Sequence, residues 1–228
     1  MLETLAFAAV ASAGLLLGSS IGAFWRPPKP LVAAALAFAA GSLTAALAFE
    51  LFAKESHPTL WIAAAGLIAG ATLFILIDAA VERRWPREKA TGLALVAAVT
   101  LDGVPENLAL GVTLATQGSV ALLAAIFFSN LSESLGSAAE MREGGDSPSR
   151  AIALWLGVAA LLACALVVGK VVGGSGSTHS FLLALAGGAV LASLADTLMP
   201  EAYREGGPFV AFATVAGFLL SFLLATSE

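Results

Sequence analysis

The chain has 228 residues, of which 59% are hydrophobic and only 12% charged, with a net charge of −5 and a mean hydropathy of +0.92. Soluble domains carry about 25% charged residues, so a water-soluble enzyme is argued against and an all-α integral membrane protein is expected. The single cysteine, Cys164, permits no internal disulfide and no CxxC pair for a soft metal.

Charges and turn residues cut the chain into eight apolar runs. They are Leu5–Trp25, Leu31–Ala53, Leu60–Val81, Thr91–Ala115, Val120–Ala139, Ala151–Val171, Phe181–Met199 and Phe209–Ala225. Each is close to the roughly 20 residues that a helix needs to cross a bilayer. The breaks are Arg26–Pro30, Glu55–Pro58, Glu82–Lys89, Gln117-Gly118, Arg142–Arg150, Gly173–Ser180 and Glu201–Pro208. The first run opens with Glu3 and no basic residue, and its apolar core is long for a signal peptide, so it reads as a span that stays. The whole chain, 1–228, reads as one transmembrane domain.

Cytoplasmic loops collect lysine and arginine. With eight spans, one set of loops holds Arg26, Lys29, Arg83, Arg84, Arg87, Lys89, Arg142, Arg150 and Arg204, and the other only Lys54 and Lys170. Nine against two places both termini outside.

Ala39–Ala48 is similar to Ala186–Ala195, with Gly41 matching Gly188 at an offset of 147 positions. Gly70 and Gly217 are separated by the same offset. Spans 1–3 (within 1–89) then map onto spans 6–8 (within 150–228), flanking spans 4 and 5 (90–143). Because the copies enter from opposite sides, this is a 3+2+3 inverted repeat, an arrangement found in transporters. Chance similarity between small-residue packing helices is the alternative.

The central pair holds acids where acids are costly. In span 4, Asp102 and Glu106 are four residues apart, on one helical face, and bracket Pro105. In span 5, Ser129, Asn130 and Glu133 share a face. An ionised acid at the centre of a spanning helix costs roughly 2.5–3.5 kcal/mol on insertion scales. No basic residue at that depth compensates, which leaves protonation, water or a bound cation. Converging oxygen ligands suit a divalent metal; protonated acids acting as structural hydrogen-bond formers are the alternative. Asp196 in span 7 and Glu201 at its end are candidates for a pathway, with a structural role equally open for Asp196. Glu50 and Asp78 read as interfacial, His57 and His179 as exposed imidazoles in outer loops, and Cys164 as an inert packing residue.

These motifs resemble those of the ZIP family of divalent-metal transporters. The family's span-4 motif, His-Asn-x-Pro-Glu-Gly, is matched by Asp102-Gly103-Val104-Pro105-Glu106-Asn107, and its span-5 counterpart by Ser129-Asn130-Leu131-Ser132-Glu133-Ser134. Asp196-Thr197-Leu198-Met199-Pro200-Glu201-Ala202 resembles the family's Glu-Leu-x-Pro-Glu-Ala, with its register lengthened by one residue. The stretch Gly66–Asp78 is also similar to the family pattern. The resemblance implies eight spans and metal ligation by Asp102, Glu106, Asn130 and Glu133, with Ser129, Asp196 and Glu201 as further shell or pathway residues. Asp102 stands where the family has histidine, Gly103 cannot ligate through a side chain, and span 6 lacks the acid of two-metal members. The histidine-rich loop between spans 3 and 4 is replaced by a short basic one.

The expected function is therefore divalent-cation transport toward the cytoplasm, across a cell (inner or plasma) membrane. The cargo is zinc or a related ion such as manganese, iron, cadmium or cobalt, and the oxygen-only ligands favour harder ions than zinc. The ion is the substrate, and no cofactor and no enzymatic activity are expected. The partners expected are that ion and the lipid bilayer, with a homodimer left open and no nucleic acid. A non-transporting protein of the same fold that binds or senses a cation is the alternative. The sequence patterns of intramembrane hydrolases are missing.

Overall fold

Lipid offers no hydrogen bonds, so long apolar runs fold as helices that pair every backbone group internally. A computed structural model describes residues 2–52, 60–84 and 92–227, among which there is no strand. Lys54, the Glu55–Pro58 break with His57, and Arg87 and Lys89 lie outside the described residues, as does the side chain of Glu50.

Six helices follow the expected spans to within a few residues: α1 (Leu2–Phe24), α2 (Lys29–Phe52), α3 (Leu60–Arg84), α4 (Gly92–Thr113), α5 (Val120–Glu143) and α6 (Pro148–Val172). The start of α5 is fixed by Ser119, whose hydroxyl accepts the Leu122 amide at 3.1 Å, and that of α6 by Ser147, which accepts the Arg150 amide at 3.2 Å. Then come α7 (Ser177–Ser193), a π-turn (Leu194–Leu198), α8 (Met199–Gly206), a 3-10 turn (Gly207–Phe209) and α9 (Val210–Ser227). Seven helical stretches among the described residues are long and apolar enough to cross a membrane. The seventh, Ser177–Ser227, is 51 residues long and contains both of the last two expected spans.

Two local expectations are overturned. The break expected at Glu201–Pro208 is helical as far as Gly206, because its charges line an amphipathic helix instead of a loop. The chain turns only at Gly207, whose φ of +66° is cheap for glycine and strained for other residues. His179 is buried, not exposed. α7 begins at Ser177, earlier than expected, and brings the His179 Nδ1 to 3.2 Å from the Gly173 carbonyl.

The helices sort into two groups by packing. α1 lies along α5, α4 along α6, and α1 also touches α6. In the other group α2 lies along α9 and α8, and α3 along α7. Contacts of α5 with α2 and of α4 with α7 join the groups.

Glycines set the closest crossings. A methyl group at Gly41 would stand 1.9 Å from the Thr214 carbonyl oxygen, and one at Gly217 1.9 Å from that of Phe38. Between α3 and α7, methyls at Gly188 and Gly70 would stand 2.1 Å and 1.8 Å from the carbonyl oxygens of Leu67 and Leu185. Every residue of one crossing is 147 positions from a residue of the other: 41 and 188, 67 and 214, 70 and 217, 38 and 185. The same offset relates Gly22, against the Leu135 carbonyl on α5, to Gly169, against the Leu108 carbonyl on α4. Outside these crossings, large apolar side chains such as Trp61, Ile68, Val171, Phe209 and Phe212 are exposed, as a lipid-facing surface requires.

Candidate cation site

α4 and α5 meet through polar residues. Asp102, Glu106, Asn107, Ser129, Asn130, Ser132, Glu133 and Ser134 are all buried. α4 runs unbroken through Pro105 and keeps Asp102 and Glu106 one turn apart. On α5, Ser129 and Glu133 are likewise one turn apart.

The Ser129 hydroxyl ties the two glutamates together. Its Oγ lies 3.0 Å from Glu106 Oε1 and 2.6 Å from Glu133 Oε1. A hydroxyl carries one hydrogen and can donate it to only one acceptor at a time, so the other contact needs a proton on a carboxyl group or a cation between the oxygens. Glu106 Oε2, Glu133 Oε2 and Asn130 Oδ1 are buried with no hydrogen-bond partner. Leaving such an oxygen unpaired costs about 1–3 kcal/mol, more if it is charged. Asn130 is anchored by its other end, since Nδ2 donates to the Ala11 carbonyl on α1 at 3.0 Å. Asn107, Ser132 and Ser134 donate to the backbone of their own helices.

Asp102 is held differently. Its Oδ1 accepts the Ser193 hydroxyl at 2.7 Å, and its Oδ2 lies 3.4 Å from Thr197 Oγ1. Both partners flank or occupy the π-turn of the other helical group. Among the described residues, no three histidine, cysteine, aspartate or glutamate side chains converge closely enough to form a metal site. The structure therefore brings Glu106, Ser129 and Glu133 together, with Asn130 beside Glu133 on α5, and directs Asp102 toward α7.

A cavity of about 340 Å³ leads to this point. Asp102 and Glu133 line it, whereas Glu106 is not among its lining residues. Asp196 and Glu201, the two pathway candidates, line it as well. So do three acids that sequence reasoning did not select: Asp78, Glu82 and Glu140. Asp78, read as interfacial from its place near the end of span 3, is thus also a lining residue of the cavity. Spacing carried a usable signal, because Asp78 and Glu82 are four residues apart and Glu133 and Glu140 seven, each pair on one helical face. Among the described residues, seven lining side chains are acidic and one, Arg204, is basic. At the mouth, Lys29 pairs with Glu205 at 3.1 Å, and Arg204 with the same carboxylate at 3.2 Å. These pairs are largely solvated and contribute little to stability.

Trp155 Nε1 is a fourth unpartnered buried atom. It belongs to a separate apolar cluster with Leu15, Val99, Met141 and Val158. Cys164 is exposed on α6. No family model matches the chain and no curated protein matches it.

Proposed function

We propose that the chain is a divalent-cation transporter of ZIP-like architecture that carries manganese, zinc or a related ion toward the cytoplasm between α4 and α5. The observation that carries this reading is the pair of buried glutamates, Glu106 and Glu133, that share the Ser129 hydroxyl while each keeps an unpartnered oxygen; Asn130, on the same helix as Glu133, has another. A cation between the two glutamates would satisfy their free oxygens, and an oxygen-only set suits hard divalent ions.

The architecture supports the same reading. A straight helix of 51 residues would be about 77 Å long, more than twice the roughly 30 Å hydrocarbon core. The turn at Gly207 and the packing of α9 on α2 and of α7 on α3 support two spans there, and eight in all. The crossings related by the 147-residue offset support the inverted repeat, since two copies joined by a pseudo-two-fold axis must make each contact twice. The bias of basic residues supports termini outside, and the cavity, with Glu82 and Arg204 in its lining, would then face the cytoplasm. Movement of the α1–α4–α5–α6 group against the other would switch access.

In proteoliposomes, the E106A/E133A double variant should take up no radioactive manganese or zinc while wild type does. Unchanged uptake by a correctly folded double variant would sink the proposal. A cation sensor of the same fold is a second reading, favoured by the placement of Asp102 against α7. Calorimetric binding of manganese without any flux would select it.

A further inference from the structure

We propose that Ser193 acts as a latch: its hydroxyl holds Asp102 against α7 when the site is empty and gives it up when a cation binds. This rests on the reading of Glu106 and Glu133 as cation ligands, and adds how occupancy of that site is communicated to the rest of the molecule.

The geometry points to the Ser193 hydroxyl as the closer of two α7-side hydroxyls at Asp102. Ser193 Oγ donates to Asp102 Oδ1 at 2.7 Å, with both residues buried. Thr197 is the weaker partner, since its hydroxyl hydrogen is committed to the Ser193 carbonyl at 2.7 Å and its approach to Asp102 Oδ2 is 3.4 Å. Asp102 belongs to α4, in the group with α1, α5 and α6, whereas Ser193 ends α7 in the other group. The bond thus ties the two groups together next to the cation site.

Asp102 and Glu106 share a helical face one turn apart. An ion seated on Glu106 and Glu133 attracts the Asp102 carboxylate, and the rotation that answers this attraction breaks the bond to Ser193. Loading the site and unfastening the groups become one event. The hydroxyl also competes with the ion for Asp102, so removing it strengthens binding. Hydrogen bonds to charged groups are among the stronger ones in proteins, and the loss of this competitor corresponds to roughly a tenfold gain in affinity.

The test is calorimetric titration of the purified full chain in lipid nanodiscs with manganese chloride. S193A should bind manganese about tenfold more tightly than wild type, S193T should bind as wild type does, and S193A should change nothing in a D102N background. An S193A affinity within twofold of wild type, a weaker one, or a gain that persists in D102N would overturn the latch. If E106Q/E133Q binds manganese as wild type does, the cation site itself is misassigned and the latch falls with it. If that variant loses binding while S193A behaves as wild type, only the latch fails.

Discussion

At the scale of single residues, Ser129 is the most economical element of the site. One hydroxyl contacts two buried glutamates and can donate to only one of them at a time, so S129A takes a donor from one carboxyl group and a polar contact from the other. The empty variant should be destabilised by about 1–3 kcal/mol. Thermal unfolding in detergent should show manganese raising its midpoint by more than it raises that of wild type, and S129T should behave as wild type. Glu106, Ser129, Asn130 and Glu133 were legible in the sequence because polar groups in apolar spans without basic partners demand compensation. The direction of Asp102 was not. Helical spacing puts it on the face of Glu106, but which neighbour its carboxylate meets depends on how α7 packs, and no periodicity within α4 encodes that. Burial of His179 escaped for a similar reason: one early helical turn decides whether the imidazole meets water or the Gly173 carbonyl.

Among the elements, the crossings and the π-turn carry the consequences. At Gly217 a methyl group would overlap the Phe38 carbonyl oxygen, so G217A must push α9 off α2, at a cost of about 1–3 kcal/mol. Gly157 on α6 has nothing within 4 Å of such a methyl, and G157A should stabilise the helix by about 0.5–1 kcal/mol. Opposite shifts in thermal unfolding are expected, and equal shifts would contradict the close crossing. The π-turn explains the lengthened register of the span-7 motif. The Met199 amide bonds back to the Leu194 carbonyl, five residues earlier, which accommodates one extra residue without ending the helix. Deleting Ala195 should remove the turn, rotate Asp196 and Glu201 relative to one another, and abolish uptake in a protein that still folds. The extra residue was visible in the motif, but a sequence cannot say whether a helix absorbs an insertion as a π-turn or as a loop. The same ambiguity made charged α8 read as a break.

For the whole molecule, sidedness is the decisive property. Ser137 lines the cavity on α5. In a background with Cys164 replaced by serine, S137C should react with a membrane-impermeant thiol reagent from the side of the basic loops and not from the other. Labelling from the opposite face would reverse the assigned topology. The 147-residue offset was visible in the sequence through two glycine pairs, yet the carbonyls they meet lie on other helices and had no signature. Once the fold pairs them, the same offset relates the α2–α9 crossing to the α3–α7 crossing.

The acid-rich cavity has a consequence for flux. If the chain carries cations as proposed, the acids that line the cavity among the described residues would draw cations toward the Glu133 end and disfavour anions. An ion leaving the Glu133 end would enter a crowd, not an empty passage. Abundant internal magnesium would then compete for the same carboxylates and set the pace of emptying, so net import would throttle itself as the compartment fills, with no dedicated regulatory domain.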